Sequence, residues 1–483
     1  MLHRKLFICL TAACAVLMLS ACGHGQRQDD VYAQYLQDIP SDEAHNDSVL
    51  VLSVLLPEHA IPPGRSDPFP IAERAMNRKL AESGQTLRVE LSTFSHNERH
   101  DIATRMTAMM MAGNPYDLFH FMLRGHSIWH DSQSGFLACI YTLMDESPNT
   151  SREDFFTNVL DAFTVDDGLY AFPLNFGFHY ITINSSLPQE LVYRFTEKET
   201  VCKARLMYLY LELQRMYNAD FGHLYVAEPL LYFAPNSLLD RTISNFIDFN
   251  SRKANLNNNK FIDFFHNILH IQEFDGFAEI DLVHLTTFPD TQRRIQNAGR
   301  YMFMSDGFHS LPLYFLFEKE SPYFTQHLPL ANSEGELISH LRFGVSPIFS
   351  IAAGGQPELA WEFLQHLISP MVVTTRLPPQ SSANFNIPIK RAYFQSNFSA
   401  VFHHLDDLIS EYIKDMNNEA VRSRAIEKAI DRLATLSELP IAAIPLVPID
   451  IIEDDFNQVL RRITTPEDAA QRMDNRITLW LIE

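Results

Sequence analysis

The sequence predicts an α/β fold built on a parallel sheet, and three observations carry that expectation. Residues 49–56 (VLVLSVLL) form a continuous apolar run of Val and Leu, the pattern of a strand buried on both faces. From residue 49 to 121, strand-like and helix-like patterns alternate as βαβαβ, which implies right-handed crossovers between parallel strands. Composition permits a large core: 46% of the 483 residues are hydrophobic, with 36 Phe and only 17 Gly, outside the range of disordered or collagen-like chains.

Each element follows from its local pattern. After the strand at 49–56, residues 70–82 place Ile71, Ala75, Met76 and Leu80 at helical spacing, with Pro70 at the start and Gly84 past the end. Residues 87–94 (LRVELSTF) alternate as a strand, residues 98–111 are helical, and residues 116–121 (YDLFHF), after Gly113-Asn114-Pro115, make a third strand. The Met106, Met109, Met110 and Met111 cluster reads as core packing, because it closes an amphipathic helix instead of repeating in a polar context. Residues 151–163 read as a helix, and Asp166-Asp167-Gly168 as a hairpin turn. In residues 360–368 the positions Ala360, Phe363, Leu364, Leu367 and Ile368 form one helical stripe flanked by Trp361, which reads as packing over ligand stacking. Thr465, Pro466 and Asp468 make an N-terminal helix cap.

The first residues set the compartment. Residues 1–22 read MLHRKLFICLTAACAVLMLSAC: a basic start at Arg4 and Lys5, an apolar run, then small residues, which is a signal peptide too short to span a bilayer stably. Its end, Leu19-Ser20-Ala21-Cys22, resembles the bacterial lipobox, in which cleavage leaves residues 1–21 behind and the Cys22 thiol carries lipid; an ordinary signal cleaved near Ala21 is the alternative. Residues 22–48 are mostly polar and read as a tether, or as one short amphipathic turn docking through Tyr32, Tyr35, Leu36 and Ile39. In the body, Cys139 and Cys202 either pair in an oxidising exterior or pack as two free thiols. A net charge of −21 without any long Lys/Arg block argues against nucleic acid as a partner.

A longer pattern then emerges. Residues 168–175 (GLYAFPLN) lead through Phe176-Gly177-Phe178-His179-Tyr180-Ile181 to residues 182–187 (TINSSL). This stretch resembles the "G-x-x-Y-G-x-P … Y-N-x-x-L" crossover of the family 1 extracellular solute-binding proteins, the receptors of ABC importers for sugars and related solutes, with Ala171, Phe172 and Ile183 as departures. Further segments resemble the same family in order: residues 245–268, the strand of residues 296–307, residues 342–346 leading to residues 357–367, residues 386–389, and the closing helix from Thr464 to Glu483.

The resemblance implies a two-lobed periplasmic-binding-protein-like fold of type II, each lobe a mixed sheet flanked by helices, with several chain crossings at a hinge. It divides the chain into a first-lobe α/β region at 49–165, a mainly second-lobe region at 166–345, and returning segments with C-terminal helices at 346–483. Lobe crossings are expected at residues 117–121, 172–178 and 342–345. The implied function is a lipid-anchored receptor on the extracytoplasmic face of the cell membrane, a monomer that captures a small solute, most of all a carbohydrate, by lobe closure and hands it to ABC permease subunits. A sensor or scaffold lipoprotein on the same fold is the alternative.

Catalytic and metal chemistry find little support in the residues. There is no G-x-S-x-G, Walker loop or G-x-G-x-x-G, so no enzyme and no cofactor is expected. The pairs His126/His130 and His266/His270 sit four apart but lack the Glu of H-E-x-x-H and a third ligand, so no metal is expected. Acid runs such as Glu453-Asp454-Asp455 read as solvated turns or helix starts. A hydroxyl-rich ligand needs aromatic faces and planar polar groups, and cleft-prone positions supply them. The ligand-binding candidates are Trp129, Asn175, Phe176, His179, Asp306 and Phe308.

Overall fold

A computed structural model describes residues 48–58, 68–95, 98–121, 127–177, 179–184, 189–196, 201–202, 243–249, 251–272, 303–307, 324–331, 348–369, 387–394, 434–435, 437–441 and 451–482. The expected signal peptide, nearly all of the expected tether with Cys22, and the expected crossing at 342–345 lie outside these residues. The chain divides into two compact units, Met1–Val49 with Leu80–Thr86, and Leu50–Lys79 with Leu87–Glu483. In the first, the 3₁₀ turn Ala81–Ser83 ends on Gly84, whose φ of 67° is the left-handed conformation that glycine adopts without a Cβ penalty.

The second unit carries two principal sheets. β1 (Ser48–Pro57), α1 (Pro68–Leu80), β2 (Gln85–Phe94), α2 (Arg99–Met111) and β3 (Leu118–His120) follow the expected βαβαβ order. β1 and β3 are parallel, with Val54 opposite Leu118 and Leu55 opposite Phe119. α1 buries Phe69, Ile71, Ala72 and Met76. On α2, Met106 and Met110 are buried with Leu55, Phe94, Ile102, Phe119 and Ala352, so those methionines are core filler, whereas Met111 is exposed.

Next come α3 (Ile128–Gln133), α4 (Ile140–Glu146), α5 (Thr157–Asp161), the β4 (Thr164–Val165) and β5 (Gly168–Leu169) hairpin, and β6 (Phe172–Pro173). The expected helix over 151–163 is instead a 3₁₀ turn, Arg152–Asp154, and the short α5. Phe155 is extended between them and pairs with Lys390, and Phe156 N–H donates to Ile389 O at 3.1 Å. Pairing with a segment more than 230 residues away thus overrides the local helical pattern. The β4–β5 turn has the backbone the sequence predicts: Asp166 and Asp167 both have positive φ, at 47° and 65°, as a tight hairpin twist demands.

The first sheet has the order β2-β1-β3-β14-β6, where β14 is Ile348–Ile351. β14 runs antiparallel to both β3 and β6, so the sheet is mixed and not wholly parallel as its opening strands imply. The reason is topological: β14 follows a strand of the other sheet, so the handedness rule that keeps βαβ strands parallel does not act on it. α8 (Pro357–Leu367) buries Ala360, Trp361, Phe363, Leu364 and Leu367. Trp361 is a packing residue: its Nε1 donates to Ser147 Oγ at 2.9 Å and its ring meets Phe172 edge-on at 5.5 Å.

The second sheet has the order β12-β8-β13-β9, formed by β8 (His179–Asn184), β9 (Val201–Cys202), β12 (Phe303–Gly307) and β13 (Phe324–Ala331). α6 (Gln189–Thr196) lies against β8. A helical layer completes the described chain. It contains the β10 (Ile247–Asp248) and β11 (Lys253–Ala254) hairpin, α7 (Asn259–Gln272), α9 (Glu453–Leu460) and α10 (Pro466–Ile482). Phe265 of α7 and Phe456 of α9 meet at 5.5 Å, and the Asp474 carboxylate of α10 accepts from Leu256 N–H at 2.6 Å. The Thr465 cap forms as expected, its Oγ1 accepting from Asp468 N–H at 3.1 Å. The acidic run opens α9, which is the helix-start alternative of the sequence reading, and Asp455 within it is 1% exposed and paired with Arg472 at 2.6 Å and Arg476 at 3.3 Å.

Candidate functional site

The chain passes between the two sheets over a few residues. β6 ends the first sheet at Pro173, β7 (Asn175–Phe176) pairs with β15 (Ile387–Pro388) outside both sheets, and β8 begins the second sheet at His179. Four of the six nominated ligand positions fall on or beside this passage. Asn175 lies opposite Pro388 and Phe176 opposite Ile387. His179 lies opposite Gly307, and Asp306 lies opposite Tyr180 on the adjacent strand β12. The backbone thus brings His179 and Asp306, which are 127 residues apart in the chain, within one register step. Phe308 follows Gly307 directly but lies outside the described residues.

Local sequence explains why the passage is narrow and held. Pro173 cannot donate to a ladder and so marks the end of β6. Leu174 is buried and its carbonyl accepts from Ile389 N–H at 3.2 Å. The strap that includes β15 continues into Lys390 and Arg391. The Arg391 guanidinium donates through Nε to Phe155 O at 2.7 Å, lies 4.6 Å over the Phe156 ring, and pairs with Glu438. Tyr393 on the same strap has its hydroxyl pKa pushed up, first by burial and then by the nearby Asp154 charge. Asn158 Nδ2 donates to both Ser437 O and Leu439 O at 2.7 Å, which fixes residues 437–439 beside α5.

The side chains differ in burial. Asn175 is half-buried, with a planar amide suited to a hydroxyl-rich ligand. Phe176 is buried and meets Phe156 edge-on at 5.2 Å, so in this form it shapes the wall of the passage from behind. Trp129 is far from being an open stacking platform: it is 7% exposed, with Phe249 at 5.7 Å and Trp480 at 5.8 Å from its ring.

Expected crossing 117–121 is corrected. Leu118–His120 is the middle strand of the first sheet, and Leu137 further along the described chain bridges Ala352 beside the same sheet. Sequence reading marked residues 386–389 as a returning segment by resemblance but missed its partner, because nothing local in Ile387 or Pro388 announces a strand more than 200 residues earlier. The clustering of Phe249, Arg252 and Trp480 around Trp129 was likewise invisible, since no spacing rule links them.

Other chemistry is sparse among the described residues. His266 faces Glu467 at 3.4 Å and His130 lies beside Asp131 at 3.7 Å, while no group of three or more His, Cys, Asp or Glu gathers to hold a metal ion. Cys139 is a free thiol. A cavity of about 610 Å³ has His266, Leu269, Val459, Arg462, Thr464 and Asp468 in its lining, which includes none of the described ligand candidates.

The chain matches no family model and no curated protein. Solved structures do resemble it across nearly its whole length. The sugar-binding protein MalE from Xanthomonas citri is 14% identical with a TM-score of 0.53, over 90% of this chain and 98% of that one. An oligosaccharide periplasmic-binding protein, described as putative, from Synechococcus sp. MITs9220 is 12% identical with a TM-score of 0.51, over 89% and 99%. With its two mixed sheets joined by a short strand passage, the chain has the α/β fold of the two-lobed periplasmic-binding proteins.

Proposed function

We propose that this protein is an extracytoplasmic receptor that captures a small carbohydrate by closure of two lobes and delivers it to an ABC importer, anchored by lipid on Cys22. The observation that supports this reading best is the passage at residues 173–179, with Asn175 on one side and His179 and Asp306 on the neighbouring strands of the second sheet. A ligand seated there would touch the β7–β15 passage and the second sheet, and its binding energy would favour the form in which these approach. Asn175, His179, Asp306 and Phe308 are the candidate ligand contacts, with Phe176 as support behind them. The likeness in fold to the MalE and oligosaccharide-binding structures is in keeping with a sugar ligand and with permease subunits as partners.

The test is a thermal-shift screen of mono- and oligosaccharides, with peptides and metal ions as contrasts. A ligand at 100 times its Kd adds about 2.7 kcal/mol, so a true sugar raises Tm by several degrees. Asn175→Ala and Asp306→Ala should abolish that rise while leaving the unliganded melt in place. A flat sugar response from a well-folded chain would overturn the proposal. Lipid attachment is tested separately: Cys22→Ser should release the protein from the membrane fraction.

A further inference from the structure

The strands of the second sheet run so that one end of it meets the passage. β12 ends at Gly307, opposite His179, the first residue of β8. β13 reaches the same level, with Pro329 opposite Tyr180, and β9 runs parallel to it and ends at Cys202, opposite Ala331. The carboxyl ends of β12, β13 and β9 therefore gather where the passage enters the sheet, and carboxyl ends are where α/β sheets seat their ligands. Pro329 has no N–H to give the ladder, and directly after it Leu330 lies opposite Val201 of β9. Register also sorts this end into two faces, because opposed residues of an antiparallel pair share a face and successive residues alternate. Tyr180 shares its face with Asp306 and Pro329, and the next row of that face holds Thr182 and His327. His179 falls on the other face with Gly307, and the rows behind it pair Ile181 with Leu328 and Ile183 with Phe303. Those apolar rows give the His179 face the pattern of a core and leave the Tyr180 face as the polar one.

We propose that Tyr180 and Asp306 are the pair that reads the ligand ring, and that the ligand is a neutral pyranose. The proposal rests on the receptor reading and adds to it one residue, Tyr180, and a charge class. Opposed residues have Cβ atoms about 4.5–5.5 Å apart, a separation that one sugar ring spans. A phenol ring suits the apolar C–H side of a pyranose, and a carboxylate accepts from two neighbouring hydroxyls. His179 lies one register step away but on the other face, so Tyr180 and not His179 is the partner of Asp306 on a single ring. The charge class follows from composition at the site: β8, β12 and β13 contain no Lys or Arg. The Asp306 carboxylate therefore has no cation on these strands to offset its repulsion of a sugar acid or sugar phosphate.

The experiment is isothermal titration of the full chain with glucose, galactose, mannose, xylose and maltose as neutral probes and glucuronate as the acidic one. A neutral pyranose should bind, with glucuronate about tenfold weaker or more. Tyr180→Leu and Asp306→Asn should each weaken the best probe by about tenfold, with the unliganded melt retained. Tyr180→Phe, which keeps the ring, should stay within about twofold of wild type. Because both residues hold the same ring, the double variant Tyr180→Leu/Asp306→Asn should lose far less than the product of the two single losses, whereas the losses of His179→Ala and Asp306→Asn should multiply. If the leucine variant melts early, Tyr180→Thr, a residue suited to strands, repeats that arm. A neutral sugar that binds Tyr180→Leu as tightly as wild type, or losses at Tyr180 and Asp306 that multiply, would overturn the pair and leave the receptor reading standing. Glucuronate binding more tightly than every neutral probe would overturn the charge class. A well-folded wild-type chain that binds none of the probes, nor any sugar in the thermal-shift screen, would overturn the receptor reading and the pair together.

Discussion

Asp117 shows how one side chain can join three elements. Its carboxylate accepts from Ser53 N–H at 2.8 Å, Ser53 Oγ at 2.7 Å and Gln356 N–H at 2.9 Å, tying β1, the approach to β3 and the start of α8. Gly355 is required beside it, since a Cβ there would stand 2.7 Å from Asp117 Oδ1. Asp117→Ala should cost about 3 kcal/mol in urea unfolding, because it strands donors in a buried site and each such loss costs roughly 1–3 kcal/mol; an unchanged midpoint would refute the node. His366 gives a pH signature. Burial, the largest cause, holds its pKa below the ordinary 6.5, with Glu362 opposing and Lys79 assisting. A depressed folded pKa means stability is full above pH 6.5 and is lost as pH falls through the lower folded value. His366→Gln should flatten that acid-side decline, as measured by denaturation midpoints between about pH 7 and 5.

At the scale of elements, turns and caps were legible because their causes are local. The Asp166-Asp167-Gly168 hairpin and the Thr465 cap are fixed by residues within three positions of one another. The left-handed φ of 65° at Asp167 leads to a prediction: Asp167→Gly should stabilise the hairpin by about 0.5 kcal/mol, because glycine removes the Cβ strain but adds unfolded-state entropy. Buried ionic contacts were not legible, because helix periodicity does not show which acid another helix will cover. Asp455 read as part of a solvated turn or a helix start, and it does start α9, but nothing local showed that α10 would bring Arg472 and Arg476 to it. Asp455→Ala should loosen α9 from α10 and destabilise the protein by about 1–3 kcal/mol, since a buried acceptor is lost while Arg472 and Arg476 are 39% and 48% exposed and stay solvated; hydrogen exchange confined to α9 and α10 would localise the effect. The broken helix at 151–163 teaches the same lesson from the other side, because Phe155 O and Phe156 N–H bond to the distant strap at Arg391 and Ile389 instead of continuing a helical ladder.

At the scale of the whole molecule, the ordered series of loose motifs led to the fold, although each motif alone was weak. If the receptor reading holds, small-angle scattering should show a smaller radius of gyration with a bound sugar than without, and identical profiles would remove lobe closure as the mechanism. The sequence by itself determined the α/β class, the opening βαβαβ order, the hairpin and cap, and the stretch of chain that passes between sheets. Those features depend on periodicity, proline and turn chemistry, which act over a few residues. Only tertiary structure decided that β14 enters the first sheet antiparallel, that the Ile387–Pro388 strap closes on Asn175 and Phe176, that His179 and Asp306 become neighbours, and that Trp129 is enclosed by Phe249 and Trp480. Each of these joins residues roughly 100 to 350 positions apart, and such pairings are chosen by the mutual burial and hydrogen bonding of whole elements, which no local pattern encodes.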